Sequence, residues 1–253
     1  MGEDHSRDVR TLRVERSEAP RARTCVRCAG RPVVTEPPHL RATRTGYDLI
    51  AEQYGELFRE QLGRAPLDRA LLAGFAEIVG RDHPDRRVLD VGSGPGVVTA
   101  YLEHLGLAVR GIDLSPAMVG LARREHPGIA FDVGEMSTLD APDADLAGVV
   151  AWYSLIHVPE RLRPGVLAEF HRVLRPGGYV LVAFQVGQDT LHLDEAFGHE
   201  ISLDFHRLEP DVVVGLLVRA GFDLVARLVR APGDDGAAAK VPQAFLIASK
   251  PLT

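Results

Sequence analysis

No apolar run in the 253 residues approaches the roughly 20 needed to cross a bilayer, and the first residues lack the apolar core of a secretory signal. A cytoplasmic location without a membrane partner is expected. Basic charge is not in excess either. Lys and Arg number 29 against 35 Asp and Glu, a formal net charge of −6, so no global field recruits nucleic acid and none is expected as a partner. Cysteine is nearly absent. Cys25 and Cys28 form one Cys-x-x-Cys, but a structural zinc needs four ligands, and His5 and His39 stand at no characteristic spacing. A redox pair normally opens a helix after a strand, and no such pattern surrounds these residues. Two free thiols in a reducing compartment is the expectation.

What is present is enough for one sizeable core, with 45% of residues hydrophobic and 25% charged. Residues 1–43 contribute little to it. They are rich in Arg and Pro, with interspersed acids and isolated apolar residues, so they read as a disordered tail. From residue 44 onward a single domain is expected. Tyr47, Ile50, Tyr54, Leu57 and Phe58 share one helical face through about Leu62, and Leu67, Leu71, Phe75, Ile78 and Val79 mark a second helix. Tyr47 and Tyr54 combine an apolar body with a polar tip and are candidates to reach a ligand.

The centre of the chain is Val88-Leu-Asp-Val-Gly-Ser-Gly-Pro-Gly-Val-Val-Thr-Ala100, a short apolar strand running into a glycine turn and then a helix. Gly92, Gly94 and Gly96 remove the side chains that would hold a ligand away from the backbone. Further strands follow at Leu107–Asp113, Gly128–Asp132, Asp145–Ala151 and Tyr179–Phe184, with helices between them. The first of these helices has Ser115 as N-cap, Pro116 at the first helical position and Met118 in its first turn, close enough to the preceding acid to meet the same ligand. This alternation predicts an α/β fold with a doubly wound, mostly parallel sheet. The last third breaks the rhythm. Leu191 and Leu193, then Ile201, Leu203 and Phe205, alternate with polar residues and suggest two short strands inserted near 188–208 as a lid. Two final strands, Phe222–Val229 and Gln243–Ser249, have no helix between them and so must pair antiparallel.

A glycine turn after strand one and an acid, Asp113, after strand two suit both a dinucleotide and a methyl donor. Asp90, two residues before Gly92, opposes a pyrophosphate and attracts a cationic amino group; Glu135 adds a third acid near the same sheet edge. Asp90-Val-Gly-Ser-Gly-Pro-Gly96, Gly111-Ile-Asp113, Gly134-Glu-Met136 and Val173-Leu-Arg-Pro-Gly-Gly178, with the closing antiparallel pair, resemble the class I S-adenosylmethionine-dependent methyltransferases of the small-molecule branch. The resemblance covers about residues 44–250. It implies a seven-stranded Rossmann-like sheet whose last strand lies antiparallel between strands five and six. It also implies S-adenosylmethionine as cofactor, with Asp90 and Gly92 on the methionine part, Asp113 on the ribose hydroxyls, Leu114 on the adenine, and Glu135 with the Met136 amide at the adenine edge. The family often carries Asp where this chain has Glu135.

Methyl transfer to oxygen, nitrogen or an activated carbon of a small organic acceptor is the expected reaction, and alignment of the two reactants is its main requirement. His157 follows the fourth strand at the carboxyl edge of the sheet and is the candidate base. Trp152 and Tyr153 are candidates to line the acceptor site, and His199 and His206 to reach it from the lid. No metal is expected, since the histidines and acids of residues 192–206 match no ligand spacing. The chain is expected as a monomer or homodimer. Two other readings stay open: a catalytically silent S-adenosylmethionine-binding partner protein, and a nicotinamide-dependent oxidoreductase.

Overall fold

Apolar side chains of period two and period 3.6 meet in a three-layer sandwich. The computed structural model describes residues 36–233 and 240–253; the Cys-x-x-Cys and the expected tail up to residue 35 lie outside them. In chain order the elements are α1 (Pro38–Phe58), α2 (Gln61–Arg64), α3 (Pro66–Asp82), β1 (Arg87–Val91), α4 (Val97–His104), β2 (Ala108–Asp113), α5 (Pro116–Glu125), β3 (Ala130–Val133) and β4 (Leu146–Trp152). Then come α6 (Arg163–Val173), β5 (Leu174–Gln185), β6 (Thr190–Ala196), β7 (His199–His206), α7 (Pro210–Arg219), β8 (Asp223–Arg230) and β9 (Gln243–Ser249).

Seven strands form one sheet in the order β3-β2-β1-β4-β5-β9-β8. The first five pair in parallel, and β9 runs antiparallel to both β5 and β8. The expected doubly wound sheet with an antiparallel last strand is therefore the observed one. Its central strand β4 is buried at every position but the last, as a strand covered on both faces must be. Neighbouring residues face opposite layers. Val88, Val150 and Leu181 pack with Leu72 and Phe75 of α3 and Leu102 of α4, whereas Leu89, Val149 and Val182 pack with Val166 and Phe170 of α6 and Leu217 of α7. Strand order reverses between β1 and β4, so their carboxyl ends diverge and open a crevice, where open α/β sheets take their ligands.

Three boundaries differ from expectation. Helix α1 starts at Pro38, so residues 38–43, assigned to the tail from composition, belong to the folded unit, and the helix ends at Phe58 rather than Leu62. Pro38 occupies the first helical turn, where its missing N–H costs nothing, and the Glu36 carboxylate holds Arg44 at 2.9 and 3.0 Å across the helix start. Strand β5 begins at Leu174, not Tyr179, because Leu174 already pairs with Leu146 ahead of an irregularity in the ladder. The two strands after β5 stay out of the main sheet and form their own antiparallel hairpin, β6–β7.

Among the described residues no helix is long and apolar enough to cross a membrane. The α6 layer rests on Phe170, fully buried against the sheet. Replacing it with alanine should cost about 3–5 kcal/mol. Equilibrium urea unfolding of Phe170→Ala against the parent chain measures this, with a lower midpoint at unchanged slope as the expected result.

Candidate functional site

The turn after β1 is built from backbone that only glycine adopts easily. Gly92 and Gly94 have φ of +74° and +53°. A Cβ on Gly92 would lie 2.3 Å from Cβ of Ser154, whose hydroxyl donates to the Val91 carbonyl at 2.6 Å. Gly92 is thus required by the close approach of the β4 loop. A Cβ on Gly94 would meet nothing within 4 Å, so this glycine faces open space. Gly96 departs from the expected role. It lines neither cavity of the site, and its Cβ would strike the Phe131 and His126 rings, so its small size serves packing of the helix start and not a ligand.

Two carboxylates flank this turn. Asp113, at the end of β2, accepts from the Gly94 N–H and the Ser115 N–H, each at 2.8 Å, and burial pushes its pKa up to about 6. Asp90 is deeper. Its Oδ2 accepts from the Thr99 hydroxyl at 2.6 Å, while Oδ1 and the neighbouring Ser93 Oγ are buried without a hydrogen-bond partner among the described residues. Burial pushes the Asp90 pKa up to about 7. A buried carboxylate oxygen and a hydroxyl lacking partners cost free energy unless a donor arrives.

Helix α1 roofs the site. Asp48 fixes it by accepting from the Ser115 hydroxyl at 2.6 Å and the Ala117 N–H at 3.1 Å. Tyr47 and Tyr54 point down, ring edge to ring face with centroids 5.5 Å apart. His157 stands in a short 3-10 turn, Leu155–His157. Its Nδ1 lies 2.8 Å from the Asp204 carbonyl, which can only accept, so Nδ1 carries the proton and Nε2 accepts from the Tyr47 hydroxyl at 2.8 Å. Burial lowers the His157 pKa to about 4 and raises that of Tyr47 well above the usual phenol value. The expected base at neutral pH does not fit these surroundings. Both ring nitrogens are engaged, and the imidazole takes a proton only in acid. What the residue does is join three elements: α1 through Tyr47, its own turn, and β7 through Asp204.

Two cavities of about 380 and about 390 Å³ lie under this roof. The first is lined by Asp113, Leu114, Met118, Glu135 and Met136, and the second by Asp90, Ser93 and a set of mostly apolar residues from α1 and the hairpin. Tyr47, Tyr54, Gly92, Gly94, Trp152 and Tyr153 line both, so the cavities are two lobes of one crevice with a shared wall. Every expected ligand contact except Gly96, His199 and His206 borders this space.

The two lid histidines do not. Side chains alternate along β7, and Leu203 and Phe205 take the inward face, so His206 points away and meets the Thr190 hydroxyl through Nδ1 at 2.8 Å. His199 sits at the hairpin end opposite Ala196, outside both lobes. Several lining residues escaped the sequence reading, Ser93, Ser154 and Asp68 among them. Ser93 and Ser154 are small polar residues whose position only the closed turn reveals. Asp68 left a signal: it shares the α3 face of Leu72, Phe75 and Val79, an acid in register with an apolar stripe, and it borders the second lobe while bonded to Arg230 at 2.7 Å.

Residues 88–178 match the family model for a methyltransferase domain. A malonyl-[acyl-carrier protein] O-methyltransferase of Serratia marcescens is 30% identical over 124 residues, 47% of this chain and 46% of the relative. A demethylmenaquinone methyltransferase of Chlorobaculum parvum is 36% identical over 103 residues, 40% of this chain and 41% of the relative. The chain thus spans about half the length of the curated relatives it matches. Among solved structures, a magnesium protoporphyrin IX methyltransferase from Synechocystis, with bound S-adenosylmethionine, superposes with a TM-score of 0.63 at 13% identity, covering 85% of this chain and 99% of that one. The [4+2]-cyclase SpnF superposes at 0.58 with 18% identity, covering 83% of this chain and 96% of that one. The matched segment carries β1 to the start of β5 with the glycine turn and Asp113, and over this segment the chain is similar to a methyltransferase domain.

Proposed function

We propose that this protein transfers the methyl group of S-adenosylmethionine to oxygen, nitrogen or an activated carbon of a small organic acceptor. One observation carries the reading: a lobe bordered by carboxylates meets an apolar lobe at a shared wall, so a cationic donor in the first can face an acceptor in the second. The residues fit the donor. The unpartnered Asp90 Oδ1 and Ser93 Oγ match its ammonium group, the open space at Gly94 admits it close to the backbone, and Asp113 keeps lone pairs free for ribose hydroxyls. Buried Asp90 beside the glycine turn opposes a pyrophosphate, which argues against a nicotinamide cofactor, whereas Asp113 suits either ligand. The relatives' names, methyltransferases of a quinone and of a carrier-bound acyl group, point the same way.

When bound, S-adenosylmethionine supplies a methyl carbon on a sulfonium that becomes a neutral thioether on transfer. The protein's part is alignment. Orienting two reactants supplies up to about 7–11 kcal/mol of the barrier in favourable cases. Tyr47, fixed by His157, and Tyr54 hold the roof over the shared wall, and the β6–β7 hairpin covers the acceptor lobe and keeps water from it. His157 thereby acts as a positioning residue.

A second reading is a donor-binding protein that transfers no methyl group; the neighbour of the same fold that is a [4+2]-cyclase illustrates that this fold does not by itself imply methyl transfer. A labelled-methyl screen against small-molecule extract separates the two, because only the first reading transfers label.

Donor affinity should depend on pH. Asp113 and Asp90 must be ionised to hold a cation and a diol, and their pKa values lie at about 6 and about 7. Affinity therefore rises with pH across this window and levels off near pH 8. A group titrating at about 7 is ionised in roughly one molecule in ten at pH 6, so the dissociation constant at pH 6 should be roughly tenfold that at pH 8. Calorimetric titration at both values reads it directly. Asp113→Ala should remain folded yet lose more than about tenfold in affinity, since a charged hydrogen bond is worth about 1.5–3 kcal/mol. Unchanged affinity in that variant would remove Asp113 from the donor site.

For His157→Ala, the expected result is a raised acceptor KM with a rate–pH profile that keeps its shape between pH 6 and 9, because burial holds the His157 pKa at about 4, below that range. A limb near pH 6.5 that disappears in the variant would restore the base role.

A further inference from the structure

The second lobe says more about the acceptor than its size does. Apart from Asp90, which faces the donor, the charged residue bordering it is Asp68, and that carboxylate is already bonded to Arg230, whose guanidinium lies 5.7 Å above the Phe245 ring. None of the described residues lining the lobe is Lys, Arg or His. A phosphate or carboxylate brought here would lose its water and meet no cation among the described lining residues, the nearby Arg230 guanidinium being already bonded to Asp68. Most of the rest of the wall is apolar, with Ile156, Val98, Leu193 and Leu203 among its residues and Gln61 and Gln185 as neutral polar ones.

The mouth continues the pattern outward. Leu57, Leu191 and Phe197 border the lobe yet are 61%, 40% and 47% exposed. Isolated exposed apolar residues need no explanation, but three around one opening form a patch of the kind that receives a ligand.

Phe197 is the unusual one. It occupies the tip of the β6–β7 hairpin at φ +53°, followed by Gly198 at +80°. Two-residue hairpin loops of this kind favour Asn-Gly or Asp-Gly, and a bulky side chain in the left-handed region is strained. The exposed ring gains little from burial in return. A costly residue without a structural return marks a functional contact.

We infer that the second lobe takes an uncharged lipophilic acceptor, whose apolar body extends through the mouth and is covered by the Phe197 ring at the hairpin tip. This assignment rests on the methyltransferase reading, since that reading makes the second lobe the acceptor's. Recognition is then by apolar area, and an anionic analogue is disfavoured because it would be desolvated without a charge partner in the lobe. The reacting atom enters first, toward the wall shared with the donor lobe.

The test uses the full chain with S-adenosylmethionine present and Nile red as an uncharged lipophilic fluorescent probe. Nile red should bind with one site per chain, and 1-naphthol should displace it at least tenfold more effectively than 1-naphthyl phosphate, which differs by its charged group. Phe197→Asn places a residue suited to the backbone at the hairpin tip. It should melt at or above the parent's temperature, keep parental donor affinity, and bind Nile red roughly tenfold more weakly, the loss expected when most of a phenylalanine contact disappears. Equal displacement by the two naphthyl compounds, or undiminished Nile red binding in Phe197→Asn, overturns the acceptor class while donor binding stands. Failure of the parent chain to bind S-adenosylmethionine in calorimetry overturns the methyltransferase reading, and this assignment with it.

Discussion

The carboxylate of Asp113 holds the site open. Its two oxygens accept the N–H groups of Gly94 and Ser115, which belong to the turn after β1 and the start of α5, so one side chain ties together the loops that follow two neighbouring strands. The Ile112 carbonyl adds two further bonds, from the N–H groups of Gly92 and Ser93. A glycine turn left to itself would sample many conformations; here it is pinned at both ends before any ligand arrives. The same burial that makes these bonds strong also raises the carboxyl pKa, so rigidity and pH sensitivity have one cause.

From that fixed turn the rest follows by contact. Ser154 closes on Gly92 from β4, Asp48 anchors α1 on the start of α5, and Tyr47 hangs from α1 to meet His157. The hairpin is the last piece, attached through the Asp204 carbonyl and through Leu203, which packs so closely under Gly46 that a Cβ there would lie 2.8 Å away. The lower half of the crevice is rigid sheet and turn, and the upper half is a helix and a hairpin resting on side chains.

This division explains how much could be read from the chain. The lower half is local in sequence. Strand periodicity, the three glycines and the acids at strand ends are short-range signals, and they located the strands and most of the residues that border the crevice, while the place of the last strand was implied by the family resemblance. The upper half depends on tertiary placement. Which nitrogen of His157 carries a proton is decided by a carbonyl 47 residues away. His206 was misplaced because alternation along a strand gives two faces without saying which one looks inward, and His199 because the hairpin's end could not be positioned. Gly96 carries the same signature as Gly94 in sequence, yet one packs against an aromatic ring and the other faces space. Phe197 could have been suspected from the Phe-Gly pair at a hairpin tip, where Asn-Gly would be the ordinary choice.

The sheet order has a consequence for how the molecule is assembled. Strand β9 lies between β5 and β8, so the last of these seven strands to be made is an interior one. Until it arrives, β5 presents a long unpaired edge of Val180, Leu181 and Val182, and β8 has no neighbour at all. During synthesis the donor-side half can fold early, from contacts close in sequence, while the other half waits for its final segment with an adhesive edge exposed. The chain is therefore most open to aggregation in the interval between the synthesis of β5 and that of β9, on the opposite side of the sheet from the glycine turn.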